Sequence, residues 1–196
     1  KGYVSFILHA HLPYIHHPEN EDYLDEVFEI LRERYYFPVD QSAIYCLFDR
    51  DPKSNTNTEL IEEYILSLAN PYDNEDYKAG QLLLSYPSVE SYIVSNFKKD
   101  AWNMCFSLGR DIKTYIGKNT DIQINKISEE TIIKAADEFL RYLSDEQIPF
   151  DIDNFSNASR NIFNNQEIEY LSGRGFRLFS MLTLAFLQMG IIDMEI

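Results

Sequence analysis

Residues 42–48 (SAIYCLF) form a short apolar run that ends abruptly in the polar stretch DRDPKSNTNT at residues 49–58. A continuous apolar run of this length is typical of a buried central strand, and the polar stretch predicts a loop at the carboxyl end of that strand. Thr58 is predicted to cap the next helix, which ends before Pro71. The segment therefore predicts a strand, a loop and a helix in that order.

The same alternation continues on both sides of this segment. Residues 81–85 (QLLLS) predict the next strand, and residues 88–97 predict the helix after it. Upstream, apolar residues at helical spacing predict an amphipathic helix from residue 24 to about residue 36, and residues 3–10 (YVSFILHA) predict a first strand. Alternating strands and helices favour an α/β fold with a parallel sheet.

The second half of the chain is predicted to be mainly helical. The candidate helices are residues 101–116, a helix capped by Ser128, residues 157–171 and residues 176–189. Residues 121–126 (DIQINK) alternate and predict either an edge strand or the lead into the Ser128 helix. The expected fold class is α/β, with a small, mostly parallel sheet, helices on its faces and an α-rich C-terminal half.

The length of 196 residues suits one domain with a helical appendage. We expect residues 1–24 to form an N-terminal strand and loop, residues 25–125 an α/β domain, and residues 126–196 a helical part packed on it. The sequence makes no prediction of the oligomeric state.

Composition restricts the partners. The chain has 32 acidic and 17 basic side chains and a net charge of -15, which repels phosphate backbones. We therefore expect nucleic acid to bind only together with a basic partner protein. The longest apolar tract, residues 176–190, is shorter than the roughly 20 residues of a membrane span, so no membrane partner is expected.

Cys46 and Cys105 each lie in an apolar run, which predicts that both are buried. Two buried thiols favour a reducing compartment. A secretion signal would have a basic start followed by an apolar stretch, and no such pattern supports secretion here. These features predict a cytoplasmic location.

Two aspartates follow the apolar run of residues 42–48. Asp49 and Asp51 stand two apart, so both carboxylates point to the same side if the backbone is still extended there. Ligands of open α/β sheets bind at the carboxyl ends of strands, and paired carboxylates with water suit Mg²⁺ or Mn²⁺. The alternative is that both are solvated loop acids that help Pro52 and Asn55 to form a turn and cap the next helix.

Glu90 opens the helix predicted at residues 88–97. It is either a first-turn acid that interacts with the helix dipole or a third member of the acidic site, with a catalytic role.

The runs IYCLFDRD and LLLSYPSVESYIVSNF resemble the toprim-type domains of bacterial defence-associated nucleases, including RloB-like and OLD-type proteins. The similarity covers about residues 27–100. Asp49 and Asp51 match the aspartate pair of that family, and the later segment is matched by Tyr86, Pro87 and Glu90. The resemblance implies magnesium-assisted hydrolysis or transfer of phosphodiesters, with catalytic roles for the matched acids.

The sequence departs from the toprim pattern at one point. Toprim domains place a glutamate after their first strand, and no glutamate ends the predicted strand at residues 3–10. Loss of a proton-transfer group lowers rates by about 10² to 10⁴. The resemblance thus implies a metal site and leaves its catalytic activity open.

The histidines of the chain are His9, His11, His16 and His17. His9 and His11 lie two apart at the end of a predicted strand and can share a face, which suits zinc, polar substrate recognition or a simple hydrogen-bonded pair.

Residues 1–24 (KGYVSFILHAHLPYIHHPENEDYL) are similar to the opening of glycoside hydrolase family 57, the α-glucan branching enzymes and amylases. His9, His11 and Pro13 match its HAHLPY motif, and the resemblance implies that the two histidines bind carbohydrate. Nothing downstream resembles the catalytic motifs of that family. The chain is therefore interpreted as composite, joined near residues 24 and 25, and a fragment of an α-glucan-acting enzyme is an alternative function. A non-enzymatic acidic interaction protein is another.

Overall fold

The computed structural model describes residues 23–38, 42–72 and 80–194. Its helices are α1 (Tyr23–Tyr35), α2 (Thr58–Ser67), α3 (Glu90–Phe97), α4 (Gly109–Lys118), α5 (Glu129–Asp145), α6 (Ser156–Leu171) and α7 (Leu182–Gln188), with 3₁₀ turns at Ala101–Asn103 and Ile124–Lys126. Its strands are β1 (Tyr45–Asp49), β2 (Ala69–Asn70), β3 (Gly80–Tyr86), β4 (Cys105–Phe106), β5 (Phe176–Arg177) and β6 (Phe179–Ser180). The predicted α/β class is confirmed. The strand predicted at residues 3–10 lies outside the described residues.

Strand β3 is the centre of the main sheet, and every one of its residues is buried. It pairs in parallel with β1, from Tyr45 opposite Gln81 to Asp49 opposite Ser85. The short strands β2 and β6 pair with it in antiparallel orientation. The longest pairing is therefore the predicted parallel one, whereas the sheet as a whole is mixed.

The core surrounds β3. Leu83 and Leu84 are almost completely buried, and they belong to one apolar cluster with Phe139 of α5, Ile162 of α6 and Leu184 of α7. Burial of a leucine side chain contributes about 1.5–3 kcal/mol. The C-terminal part also supplies strand β6 to the sheet. Residues on both sides of position 125 therefore build a single core.

Local capping accounts for two helix starts. The Ser128 and Thr131 side chains form a capping box at the start of α5, which confirms Ser128 as a cap. The predicted cap Thr58 is wrong by one residue, because Asn57 Oδ1 accepts the N–H of Leu60 at 3.1 Å. Asparagine is at least as strong a cap as threonine, so the earlier residue begins the helix.

Two predicted helices are wrong in their first parts. Residues 101–116 contain a 3₁₀ turn and β4 before α4 begins, and residues 176–189 contain β5 and β6 before α7. Residues in the first part of both segments lie in short strands because β4 pairs with β5 and β6 pairs with β3. Residues 121–126 form no edge strand, and their 3₁₀ turn leads into α5.

The burial predicted for the cysteines is also partly wrong. Cys46 is half-buried, while Cys105 is exposed. Cys105 lies in β4, where successive side chains point to opposite sides, so an apolar sequence neighbourhood does not bury it.

Among the helices described, none combines the length and the apolar character required to cross a bilayer.

Candidate metal site

The carboxyl ends of β1 and β3 lie side by side because the two strands are parallel. Asp49 is the last residue of β1, and Asp51 follows it in the loop. The loop after β3 leads through Ser88 and Val89 into α3, whose first residue is Glu90. The acids predicted from the sequence therefore come to one edge of the sheet.

Backbone N–H groups fix both aspartates. Asp49 Oδ1 accepts the N–H of Val89 at 2.8 Å, immediately before α3. Asp51 Oδ2 accepts the N–H of Gly109 at 3.4 Å, at the start of α4. Carboxylates at helix starts are stabilised by the unpaired N–H groups there, so the starts of two helices hold the pair.

The residue between the aspartates points the other way. Arg50 is buried, and its Nε and Nη2 donate to the two carboxylate oxygens of Glu167 on α6 at 2.6 and 2.8 Å. This alternation is the one expected for extended backbone, with Arg50 towards the core and Asp49 and Asp51 towards the loops before α3 and α4.

Glu90 is held between two polar side chains. Its Oε2 accepts the hydroxyl of Ser88 at 2.7 Å, and its Oε1 lies 3.4 Å from Lys113 Nζ on α4. Lys113 thus places a positive charge beside the acids and links α4 to α3.

Burial raises the pKa of the Asp49 carboxyl above its usual value, and the hydrogen bond from Val89 opposes this. The negative charges of Glu90 and Asp51 raise the pKa further, while Lys113 lowers it. Desolvation and like charges disfavour the ionised form. The carboxylates therefore create a negative potential that a cation at this edge would neutralise.

We predict that Asp49→Asn stabilises the metal-free protein at neutral pH. A raised folded-state pKa means that the native state holds a proton more tightly than the unfolded chain. The stability from protonated Asp49 is present below its unfolded pKa and is lost as pH rises through the folded value. The excess stability of the variant should therefore grow from pH 4 to pH 7 in urea unfolding. A variant less stable than the parent at pH 7 would contradict this.

The acidic edge of the sheet offers few protein ligands to a divalent cation. Within the described ranges, no group of three or more His, Cys, Asp or Glu side chains is placed to hold a metal ion. Asp49 and Asp51 remain as a pair, and Mg²⁺ commonly takes one or two carboxylates together with waters. The pair therefore fits Mg²⁺ or Mn²⁺ better than a metal that needs a full protein cage.

The alternative role of the acids, in forming a turn, is also present. Asp51 Oδ1 accepts the N–H of Lys53 at 3.0 Å, and the N–H of Asn55 donates to the Asp51 carbonyl at 2.9 Å. Asn55 Nδ2 donates to the Asp49 carbonyl at 2.5 Å. These bonds engage Oδ1 of Asp51, and the N–H of Gly109 engages Oδ2. Because each carboxylate oxygen has two lone pairs, turn formation and metal binding are compatible.

Tyr86 and Pro87, which carry part of the toprim resemblance, lie at the end of β3. Tyr86 is completely buried and packs against Phe176 and Phe179, with ring centroids 5.8 and 6.4 Å away. Its side chain belongs to the core.

Sequence reasoning missed Ser88, Gly109 and Lys113. Gly109 and Lys113 lie on α4, inside the segment predicted as one long helix, and no local pattern connects them to Asp49 or Asp51. Ser88 lies two residues before Glu90 and donates its hydroxyl to it, so sequence proximity to a predicted site residue was the signal available for this one.

His9 and His11 lie outside the described residues, so their carbohydrate-binding role stays a prediction.

The chain matches no protein-family model, and the comparisons with curated proteins and solved structures found no match.

Proposed function

We propose that the chain is a toprim-like domain that binds Mg²⁺ or Mn²⁺ at Asp49 and Asp51 and acts on phosphodiesters by hydrolysis or transfer. The observation that supports this most is that Asp49, Asp51 and Glu90 lie at the edge where parallel strands β1 and β3 end, near enough for the charges of Glu90 and Asp51 to raise the pKa of Asp49. This is the edge at which α/β sheets bind ligands.

A divalent cation supplies Lewis acidity, which polarises a phosphoryl oxygen and lowers the pKa of water. The side chains would do the rest. Asp49 and Asp51 would hold the cation, and Lys113 would contact a phosphate oxygen. Glu90 would accept a proton from the attacking water as the new bond to phosphorus forms and the ester bond breaks. The leaving oxygen would take a proton from solvent water and depart as an alcohol.

Metal binding is a better first test than turnover. The glutamate that toprim domains carry after their first strand is missing at the end of the strand predicted at residues 3–10, and such a loss lowers rates by about 10² to 10⁴. The proposed domain can therefore bind its cation and still turn over slowly.

Calorimetry with MgCl₂ and MnCl₂ tests the proposal. We expect binding heat in the parent chain and none in Asp49→Asn/Asp51→Asn, because the amides keep the hydrogen bonds to Val89 and Gly109 but lack the charges. Circular dichroism checks that the variant is folded.

A second DxD pair gives a matched control. Asp151 and Asp153 have the same spacing and are exposed, and Asp151 Oδ1 accepts the N–H of Asp153 at 3.0 Å. Asp151→Asn/Asp153→Asn should bind the cations as the parent does. Equal heats in all three proteins would rule out the proposed site.

The net charge of -15 favours one other candidate, an acidic module that binds a basic partner protein. Stable copurification with a basic or ATPase partner, together with no metal binding, would select this function over the metal-dependent one.

A further inference from the structure

A surface groove of about 470 Å³ is lined by residues of α3, α4 and the segment after α4, and Glu90 of the candidate site lies at one end of it. Glu90 and Lys113 line it, and their carboxylate and ammonium groups lie 3.4 Å apart. Ile93 follows Glu90 by about one turn on α3, and Ile116 follows Lys113 by about one turn on α4. Asp49 and Asp51 do not line the groove, but the charges of Glu90 and Lys113 act on the Asp49 carboxyl, so this end of the groove lies near the acidic edge of the sheet.

The lining changes character away from the acids. Four isoleucines provide most of the remaining wall: Ile93, Ile116, Ile122 and Ile124. Gln123 and Asn125 add amide groups. A groove with one charged end, an apolar wall and a few amides has the chemistry of a site for a small molecule that carries an anionic group on a body with apolar faces and hydrogen-bonding edges.

Size and charge both select a small ligand over a polymer. Sites for small molecules commonly enclose about 300–1,000 Å³, which includes the volume of this groove. A long nucleic acid would in addition have to approach a chain with a net charge of -15. A small ligand with one phosphate group is repelled far less by this net charge than a backbone with many phosphates is.

One positive side chain is too little to hold a phosphate at this place. Lys113 faces the carboxylate of Glu90, and Asp49 and Asp51 lie at the same edge. Three carboxylates against one ammonium group would repel a phosphate, and a divalent cation would reverse the local charge. Phosphate binding in the groove should therefore require the metal.

We propose that the groove binds a mononucleotide, with its phosphate at Lys113 and the metal site and its base and sugar against the isoleucine wall. This inference rests on the proposed function, since it needs the cation at Asp49 and Asp51. It adds the class of ligand, a mononucleotide, which is a phosphomonoester of the kind that phosphodiester cleavage releases, and the dependence of its binding on the cation.

Calorimetric titration of adenosine monophosphate into the parent protein tests this, with and without saturating MnCl₂. We expect binding with MnCl₂ and none without it. Adenosine and inorganic phosphate, each carrying half of the contacts, should bind about 10-fold or more weakly than the nucleotide.

Two variants probe the two ends of the groove. Lys113→Gln should weaken nucleotide binding about 10-fold through loss of a charged hydrogen bond. Ile124→Ser should weaken it about 3-fold through loss of apolar contact. Binding of MnCl₂ alone should be unchanged in Ile124→Ser.

Matched controls lie on other helices. Lys134 of α5 has a side-chain exposure of 56% against 65% for Lys113. Ile168 of α6 is 64% exposed against 66% for Ile124. Lys134→Gln and Ile168→Ser should bind the nucleotide as the parent does.

The outcomes separate the two proposals. Manganese binding without nucleotide binding, or nucleotide binding that neither groove variant weakens, would overturn the mononucleotide site and leave the metal site standing. Tighter binding of a single-stranded oligonucleotide that the same variants abolish would assign the groove to a polymer and also overturn the inference. No manganese binding at all would remove the proposed function, and this inference with it.

Discussion

Replacement of Arg50 by alanine is expected to lower the free energy of unfolding by about 3–5 kcal/mol, the usual cost of breaking a buried ion pair. Arg50 is 2% exposed, and it binds both carboxylate oxygens of Glu167, whose side chain is 14% exposed. Its removal would leave the Glu167 carboxylate in the core without a counter-charge. Urea denaturation of parent and variant measures the difference.

The effect should extend to metal binding, because Arg50 fixes the loop that carries the aspartates. Its Nη1 donates to the Asn55 carbonyl at 2.8 Å, and its guanidinium lies 5.5 Å from the ring centroid of Phe176. Without these contacts the loop would lose its attachment to α6 and to the core. Manganese affinity should therefore fall in Arg50→Ala, although Arg50 faces away from the site.

An exposed ion pair provides the control. Arg160 and Glu62 join α6 to α2 at 2.9 Å with side-chain exposures of 50% and 37%. Pairs of this kind contribute about 0–1 kcal/mol, so Arg160→Ala should change stability little. Equal losses in both variants would show that burial of the Arg50 pair is not what matters.

A double variant distinguishes the effect of an unpaired charge from the effect of lost side-chain volume. Arg50→Met/Glu167→Leu removes both charges and retains apolar volume, and such replacements are often neutral or stabilising. We expect most of the stability lost in Arg50→Ala to return. A double variant as unstable as the single one would mean that packing dominates over the unpaired charge.

The central elements of the fold followed from local sequence. The apolar runs of β1 and β3 and the helices after them were predictable because strand length, apolar content and helix starts are short-range properties. The placement of Asp49 and Asp51 on one side of the chain followed from the alternation of extended backbone.

The features of the fold and of the site that were not predicted depend on contacts between residues far apart in the sequence. Arg50 reads as a polar loop residue, yet it is buried because Glu167, 117 positions later, neutralises it. Likewise β4 forms because Cys105 pairs with Arg177, which helical periodicity cannot reveal. The contact of Gly109 with Asp51 arises in the same way, through the packing of α4 beside the loop after β3.

That contact leads to a further prediction, that Gly109→Ala destabilises the protein by about 1–3 kcal/mol, the usual cost of overpacking. A Cβ atom at Gly109 would lie 2.9 Å from both Cβ and Oγ of Ser88 and 3.5 Å from Asp51 Oδ2. Rotation of the serine hydroxyl cannot relieve the clash with its Cβ, so the loop before α3 must move. Urea denaturation measures the loss.

Movement of that loop would disturb the metal site directly. Ser88 donates to Glu90, and the next residue, Val89, donates its N–H to Asp49. Calorimetry should therefore show weaker manganese binding in Gly109→Ala than in the parent, in addition to the loss of stability.

Gly117 lies on the same helix, so Gly117→Ala measures the effect of alanine on helix stability without the clash at Ser88. A Cβ atom there meets nothing within 4 Å, so Gly117→Ala should stabilise the protein by about 0.4–1 kcal/mol and leave manganese binding unchanged. Stabilisation by both substitutions would show that the loop before α3 yields to the added methyl group without penalty. The close packing of the start of α4 against Ser88 would then not fix the position of the acids, which the bonds from Val89 and Lys53 would hold instead.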